Sequence, residues 1–233
     1  MRLPGAHVTF TTRQGGVSEG PYESLNLGIL TDDEAERVLE NGRRLSAALG
    51  LDPERIAFGH QVHGGEVQVH ESWAGPPRWS GDLAPAKVDG HATALDDLAL
   101  MVLVADCAPI ALAGPGGVAM LHGGWRGLAA GIAGKGVELI GATAAAIGPA
   151  IGPCCYEVGD EVLAAFAPLG DGLAEGRMLD LPAVARRLLE RAGVAEIEVS
   201  ELCTRCNPEL LFSHRGSDGR TGRQSGIAWS EAA

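Results

Sequence analysis

The sequence predicts a single domain of mixed α/β class that spans residues 1–233. A chain of 233 residues suits one large domain. Helical and strand-like segments follow one another without the regular alternation of βαβ units, so we expect a mixed sheet. A Gly-Pro-Gly-Gly turn at residues 114–117 joins two apolar strands and predicts an antiparallel hairpin.

Seven segments carry the apolar or alternating pattern of β-strands. They are residues 8–12, 66–69, 98–105, 110–113, 118–121, 144–147 and 197–199. Three prolines between residues 73 and 86 predict a long, irregular surface loop.

Four segments predict helices. They run from a capping box at residues 31–34 to Gly50, from residue 125 to 140, from residue 160 to 167, and from an N-cap at Asp180 to Gly193. Asn41 falls on the apolar stripe of the first helix. Its amide is either satisfied by backbone groups in the core or reaches from the helix into a site.

The charge balance argues against two classes of partner. Eighteen Lys and Arg against 30 Asp and Glu give a net charge of −12, which repels nucleic-acid phosphates and anionic membranes. The aliphatic run at residues 98–105 is too short to cross a bilayer, and the first residues lack the apolar region of a secretory signal. We expect a cytoplasmic protein with no nucleic-acid or membrane partner. Its oligomeric state stays open, with a monomer slightly favoured.

The five cysteines do not suggest a disulfide framework. Their number is odd and Cys154 and Cys155 are adjacent, so reduced thiols are expected. Cys203 and Cys206 form a Cys-x2-Cys pair, which is half of a zinc signature. An adjacent Cys-Cys pair is poorly suited to tetrahedral chelation, so partly buried free thiols are favoured over a structural zinc site here.

Chemically active side chains follow two apolar strands. Asp106 and Cys107 end the strand at 98–105, and His122 follows the strand at 118–121, so the thiol and the imidazole can face each other across a hairpin. A Gly-rich turn and a helix start come next, and Arg126 beside them indicates an anion site. The alternative is an inert buried cysteine and a surface histidine.

A third candidate group is the pair His60 and His63. On a strand they point to opposite faces, so one of them is expected to be structural. Two imidazoles and one thiolate without a fourth protein ligand form the open set of a catalytic zinc. A metal-free arrangement competes with it, in which Cys107 is the nucleophile and His122 its base.

The loop at residues 213–224 gathers Arg215, Arg220 and Arg223 in an otherwise acidic chain. It is either a solvated Gly-rich loop or a lid that contacts an anion.

Seven motifs, in order along the chain, carry a family resemblance. They are residues 11–18 (TTRQGGVS), 24–28 (SLNLG), 61–64 (QVHG), 105–107 (ADC), 122–127 (HGGWRG), 148–159 (GPAIGPCCYEVG) and 221–223 (TGR). Together they resemble the polyphenol-oxidoreductase laccase family, also called the purine nucleoside phosphorylase or peptidoglycan editing factor family.

The resemblance implies a layered α/β/β/α fold and a catalytic zinc, with copper as the alternative metal. The ligands it implies are His63, Cys107 and His122, which selects His63 over His60. It also implies that Arg13, Asn41 and Asp106 line the substrate cleft with Arg126 nearby. Asp106 is expected to move protons beside Cys107.

Several activities are attached to the family. The one we expect is phosphorolysis of adenosine, inosine or guanosine to base and ribose 1-phosphate, with Arg13 holding phosphate and adenosine deamination as a second activity. The alternatives are removal of a wrong amino acid from a UDP-muramyl precursor in peptidoglycan editing, a metal-free Cys-His hydrolase and a non-catalytic metal-binding module. Multicopper oxidation is poorly supported, because the seven histidines include no His-x-His pair.

Overall fold

The apolar strands in the middle of the chain bury both of their faces, so each sheet needs a cover on each side. The computed structural model, which describes residues 2–73, 75 and 86–230, meets this need with two stacked sheets and a helical layer on each outer face. The α/β/β/α arrangement that the family resemblance implied is confirmed.

The described residues form thirteen strands. They are β1 (Arg2–Leu3), β2 (Ala6–Phe10), β3 (Ile56–Ala57), β4 (Val67–His70), β5 (Gly90–Thr93), β6 (Ala99–Val104), β7 (Ala108–Gly114), β8 (Gly117–Gly123), β9 (Ala144–Ile147), β10 (Ala174–Glu175), β11 (Met178–Leu179), β12 (Glu196–Val199) and β13 (Gln224–Ser230). The α-helices in the same residues are α1 (Ala35–Leu49), α2 (Trp125–Ala129), α3 (Ile132–Ile140), α4 (Asp160–Phe166) and α5 (Leu181–Arg191).

Both large sheets are mixed. The five-stranded sheet has the order β1-β2-β13-β6-β3, and the six-stranded sheet has the order β12-β9-β7-β8-β5-β4. Neighbours pair antiparallel except for β3 with β6, β4 with β5, and β9 with β12. The predicted hairpin is confirmed, since β7 and β8 pair from Ala108 opposite Gly123 to Gly114 opposite Gly117.

Three buried clusters hold the layers together. Val102 and Met120 belong to the cluster between the sheets. Leu45 of α1 packs on the outer face of the five-stranded sheet, and Leu128 and Leu189 of α2 and α5 pack on the outer face of the six-stranded sheet. None of the helices in the described ranges is long and apolar enough to cross a bilayer.

The helix predictions have mixed outcomes. The Asp180 cap is confirmed, since its carboxylate accepts a hydrogen bond from the Ala183 N–H at 2.9 Å. The single helix predicted at residues 125–140 is wrong, because Gly131 has a φ of 86° and separates α2 from α3. The capping box is also wrong. Glu34 is the N-cap of α1, and the Thr31 hydroxyl instead donates to the Gly28 carbonyl.

Each of the seven predicted strands has a counterpart in the structure, within a few residues at its ends. The sequence analysis missed the two-residue strands β1, β3, β10 and β11 and the longer strands β5 and β13. Of these, β13 lies at the centre of the five-stranded sheet between β2 and β6. Most of the loop predicted between residues 73 and 86 lies outside the described residues.

Candidate active site

Three side chains predicted as metal ligands meet at one point. One donor atom from each of His63, Cys107 and His122 lies within 4.8 Å of the other two. The two imidazole rings are 4.8 Å apart between centroids and meet edge to face. His60 lines the same cavity but is not part of this cluster.

The β7-β8 hairpin brings two of these groups together. Pro109 pairs with His122 and Ala108 pairs with Gly123, so Cys107 lies just before the open end of the hairpin. The expectation that Cys107 and His122 face each other is therefore confirmed. His63 arrives from the loop between β3 and β4, with a φ of 60° that a non-glycine residue seldom adopts.

Asp89, which the sequence analysis missed, anchors the cluster. Its carboxylate is completely buried and lies 2.7 Å from Nδ1 of His122. The same carboxylate accepts hydrogen bonds from the backbone N–H groups of residues 62, 63 and 64. Burial raises the pKa of Asp89, but His122 and these backbone donors outweigh it and lower the pKa. One carboxylate thus orients the His122 ring and holds the His63 loop.

Without a metal ion, the cluster favours a Cys107 thiolate beside a His122 imidazolium. Burial raises the pKa of Cys107, but His122 and His63 overcome this and lower it to about 6. Burial lowers the pKa of His122, but the Cys107 thiolate and Asp89 overcome that and raise it to about 9. A thiolate beside an imidazolium can act as a nucleophile. A metal ion can also bind the same sulfur and nitrogen atoms when it displaces the imidazolium proton.

Gly124 lies against all three donor side chains. A Cβ atom added at this position would lie 3.1 Å from the His63 ring and 3.2 Å from Cys107 Sγ. Imidazole nitrogen and thiolate sulfur are the donors that zinc and copper accept. The residues present therefore fit a metal, and a zinc ion held by these three ligands would keep a fourth position for substrate or water.

The cluster opens into a cavity of about 720 Å³ that is lined by both apolar and cationic side chains. Its apolar wall includes Leu30, Leu39, Phe58, Trp125 and Tyr156, and its cationic side chains are Arg126, Arg215 and Arg223. The Arg126 guanidinium stacks 4.4 Å from the Trp125 ring, and Arg215 lies 5.0 Å from the Tyr156 ring. From the loop at residues 213–224, Arg215 and Arg223 line this cavity, whereas Arg220 is exposed and does not; contact of the loop with an anion stays a prediction.

Asp106 lines the cavity but is occupied by the C-terminal loop. It is buried, with a φ of 88°. Its carboxylate accepts hydrogen bonds from the hydroxyls of Thr204 and Ser213 and from the backbone N–H of Arg215. Asp106 therefore ties the loop that carries Arg215 to the end of β6. Its expected role in proton transfer stays a prediction.

Two of the expected cleft residues lie elsewhere. Arg13 donates to the carbonyls of Glu23 and Pro208 and lies 4.6 Å from the Phe212 ring, in a separate cavity of about 380 Å³. Asn41 is completely buried; it accepts from the Val17 N–H and donates to Ser18 and to backbone carbonyls. The expectation that Arg13 and Asn41 line the cleft is wrong, because both use their polar groups to hold the backbone of loops outside it.

Comparison with known proteins identifies the family. The model of the multi-copper polyphenol oxidoreductase laccase family matches residues 7–231. The chain belongs to that family. A family relative from Geobacillus stearothermophilus, the purine nucleoside phosphorylase YlmD, is 40% identical over 241 residues, which cover 94% of this chain and 88% of the relative. A purine nucleoside phosphorylase from Deinococcus radiodurans is 42% identical over 240 residues, covering 96% and 89%.

The fold of the family agrees with that of this chain. The crystal structure of YlmD from Geobacillus stearothermophilus aligns with a TM-score of 0.90 at 38% sequence identity, covering 98% of this chain and 93% of that one. The resemblance inferred from the seven motifs is confirmed.

Proposed function

We propose that this protein is a purine nucleoside phosphorylase that holds a zinc ion at His63, Cys107 and His122. It converts adenosine, inosine or guanosine and phosphate to the free base and ribose 1-phosphate, within a single catalytic domain. One observation carries the proposal: the cavity that contains the donor cluster also has an apolar wall and three arginines. Relatives with the corresponding name support the choice of reaction.

The cavity matches the two chemical halves of this reaction. Aromatic rings such as Phe58 and Trp125 offer flat apolar surface to a purine base. Guanidinium groups bind phosphate oxygens through paired hydrogen bonds. In a protein with a net charge of −12, phosphate needs such a local cationic site. Arg126, Arg215 and Arg223 provide it in place of Arg13.

The chain's own residues position the reactants and the ligand set. Asp89 accepts from Nδ1 of His122, so that ring presents its other nitrogen to the cluster. When bound, the metal supplies a Lewis acid that polarises an oxygen of a reactant. The arginines hold phosphate beside the nucleoside. A phosphate oxygen then bonds to the anomeric carbon as the bond from that carbon to the base breaks. The base leaves with the electron pair and takes up the proton that the hydrogen phosphate gives up.

Multicopper oxidation has less support in this site. It requires many imidazole ligands. Among the described residues, the clusters able to hold a metal are two, and only the His63, Cys107 and His122 cluster contains histidine.

A product analysis tests the reaction. The purified protein is incubated with inosine or adenosine, with and without phosphate, while ribose 1-phosphate, free base and ammonia are measured. Phosphorolysis requires phosphate and yields base and ribose 1-phosphate in equal amounts. Base formation at the same rate without phosphate would make the enzyme a hydrolase. Ammonia alone from adenosine would identify a deaminase, and consumption of only a muramyl precursor would identify an editing hydrolase.

A pair of matched substitutions tests the phosphate site. Arg126→Lys keeps the charge but removes the fork of the guanidinium, so we expect the KM for phosphate to rise by about tenfold and the KM for inosine to change less. Arg220→Lys is the control, because Arg220 is exposed and does not line the cavity. Equal effects of Arg126→Lys on both KM values would contradict the assignment of phosphate to Arg126.

A further inference from the structure

A second group of soft donors lies apart from the active-site cluster. The thiols of Cys154, Cys155, Cys203 and Cys206 all lie within 4.8 Å of one another. Cys206 Sγ is 3.5 Å from the sulfur of Cys154 and 3.4 Å from that of Cys155. These separations are too long for a disulfide bond. Four thiols thus converge from two segments that are about fifty residues apart in sequence.

Two tight turns bring the thiols together. Residues 152–156 form one turn, in which the N–H groups of Cys155 and Tyr156 both donate to the Gly152 carbonyl. Residues 203–206 form the other, and it is fixed to the first segment because the Thr204 N–H donates to the Ala150 carbonyl. The turn at residues 152–156 removes the objection that adjacent cysteines are poorly suited to bind one metal ion. Adjacent cysteines point to opposite faces only in an extended strand.

The backbone around Cys203 favours a thiolate at this point. Its sulfur accepts a hydrogen bond from the Gly152 N–H at 3.3 Å. The N–H groups of Arg205 and Cys206 also donate to it. Such donors stabilise a negatively charged sulfur while the Cys-x2-Cys turn holds both of its thiols on one side.

The distances suit a single tetrahedral ion. A Zn–S bond of about 2.3 Å in a tetrahedron places neighbouring sulfurs about 3.8 Å apart. The separations of 3.4 and 3.5 Å, and the upper limit of 4.8 Å for the remaining pairs, bracket this value. Four thiolates leave no position for a substrate, in contrast to the cluster at Cys107, and this closed set is typical of structural zinc.

We propose that Cys154, Cys155, Cys203 and Cys206 bind a second, structural zinc ion. Four Zn–S bonds form as four thiol protons leave to the solvent, and no oxidation occurs. The ion joins the turn at residues 152–156, where Tyr156 lines the active-site cavity, to the turn at residues 203–206, where the Thr204 hydroxyl donates to Asp106. It thereby fixes two segments on which the shape of the cavity depends.

Metal content in separate variants tests the proposal. The full chain is purified under reducing conditions without chelators, and zinc, copper and iron are measured per chain. We expect about two zinc ions in the wild type and about one in Cys107→Ala, which removes a ligand of the active-site cluster only. Adding Cys206→Ser to Cys107→Ala should reduce zinc to nearly none.

A spectroscopic measurement gives an independent answer. Cys107→Ala protein loaded with Co²⁺ should show thiolate-to-cobalt charge transfer and the intense visible bands of a tetrahedral complex. Both should vanish when Cys206→Ser is added. Circular dichroism confirms that each variant is folded; because Cys206 is exposed, its replacement leaves no core cavity.

Three outcomes would overturn the proposal. The first is a folded Cys107→Ala protein that contains no zinc and gives no cobalt charge-transfer band. The second is iron in place of zinc in that variant. The third is a loss of free thiols in the freshly purified, denatured wild type, which would indicate a disulfide among these cysteines. None of these outcomes depends on nucleoside phosphorylase activity, so a failure here is distinct from a failure of the proposed function.

Discussion

Among single residues, Asp89 determines which nitrogen of His122 can bind a metal. A carboxylate only accepts hydrogen bonds, so the Nδ1 that lies 2.7 Å from Asp89 carries the proton. The other ring nitrogen is then free to donate its lone pair. Since Asp89 also accepts from the His63 N–H, one buried carboxylate sets the position of two of the three proposed ligands.

Replacing this carboxylate should weaken metal binding without removing a ligand. In Asp89→Asn the amide can present its NH2 group to His122 Nδ1, which disfavours the required tautomer. We expect zinc affinity at the His63, Cys107 and His122 cluster to fall by about 10–100-fold, measured by competition with a chromophoric chelator. Asp96→Asn, at an exposed position, is the matched control. An unchanged affinity in folded Asp89→Asn would refute this orienting role.

Gly124 leads to a second prediction, because a side chain at this position would press on the donor side chains. In Gly124→Ala the new methyl group would lie 3.1 to 3.2 Å from His63 and Cys107, so we expect zinc occupancy of this cluster to drop severalfold. The control is Gly134→Ala in α3, where a Cβ meets nothing within 4 Å. That change should preserve zinc and stabilise the helix by about 0.5–1 kcal/mol. Metal analysis and denaturant unfolding measure the two effects.

At the scale of elements, the sequence predicts those whose signals are local. The start of α5 is recognisable because Asp180 binds a backbone N–H three residues later. By contrast, β13 follows a Gly- and Arg-rich loop, and its place between β2 and β6 depends on pairing with residues more than a hundred positions away. Such pairing leaves no periodic signal of its own in the strand.

The residues of the candidate site also fall into two groups, those that local sequence signals predict and those that they do not. Strand ends and the hairpin at residues 108–123 point to Cys107 and His122, and the family motif selects His63. Asp89 could not be found because β5, which it precedes, lacks an apolar pattern. Arg13 was misplaced for the opposite reason. A guanidinium is expected in a cleft, but this one is held by loop carbonyls that are distant in sequence.

The cap of α5 gives a prediction at this scale. Asp180→Ala removes the acceptor for the Ala183 N–H, so we expect the free energy of unfolding to fall by about 1 kcal/mol. Urea denaturation measures it, with Asp171→Ala, at an exposed site, as the control. Equal stability of Asp180→Ala and the wild type would show that the cap does not stabilise this helix.

For the whole molecule, acid stability depends on a buried histidine pair as well as on its many carboxylates. His70 in β4 and His91 in β5 are stacked, with ring nitrogens 3.0 Å apart. Burial lowers the pKa of His70. Burial, and then the neighbouring His70, lowers the pKa of His91 to about 3, although the Asp89 charge acts to raise it. Both rings are therefore neutral in the folded protein at neutral pH.

The sign of the resulting pH dependence follows from this shift. An unfolded chain protonates His91 below its ordinary pKa of about 6.5, whereas the folded protein resists protonation until about pH 3. The stabilising contribution is complete above pH 6.5 and is lost as pH falls through this window, by up to about 1.4 kcal/mol per pH unit for one proton.

His91→Asn should lose stability less steeply than the wild type between about pH 6.5 and 4, whatever its stability at pH 7. Urea unfolding across this range measures the slopes, and His214→Asn, at an exposed position, should keep the wild-type slope. Identical slopes for His91→Asn and the wild type would mean that His91 is not what couples folding to acid in this window.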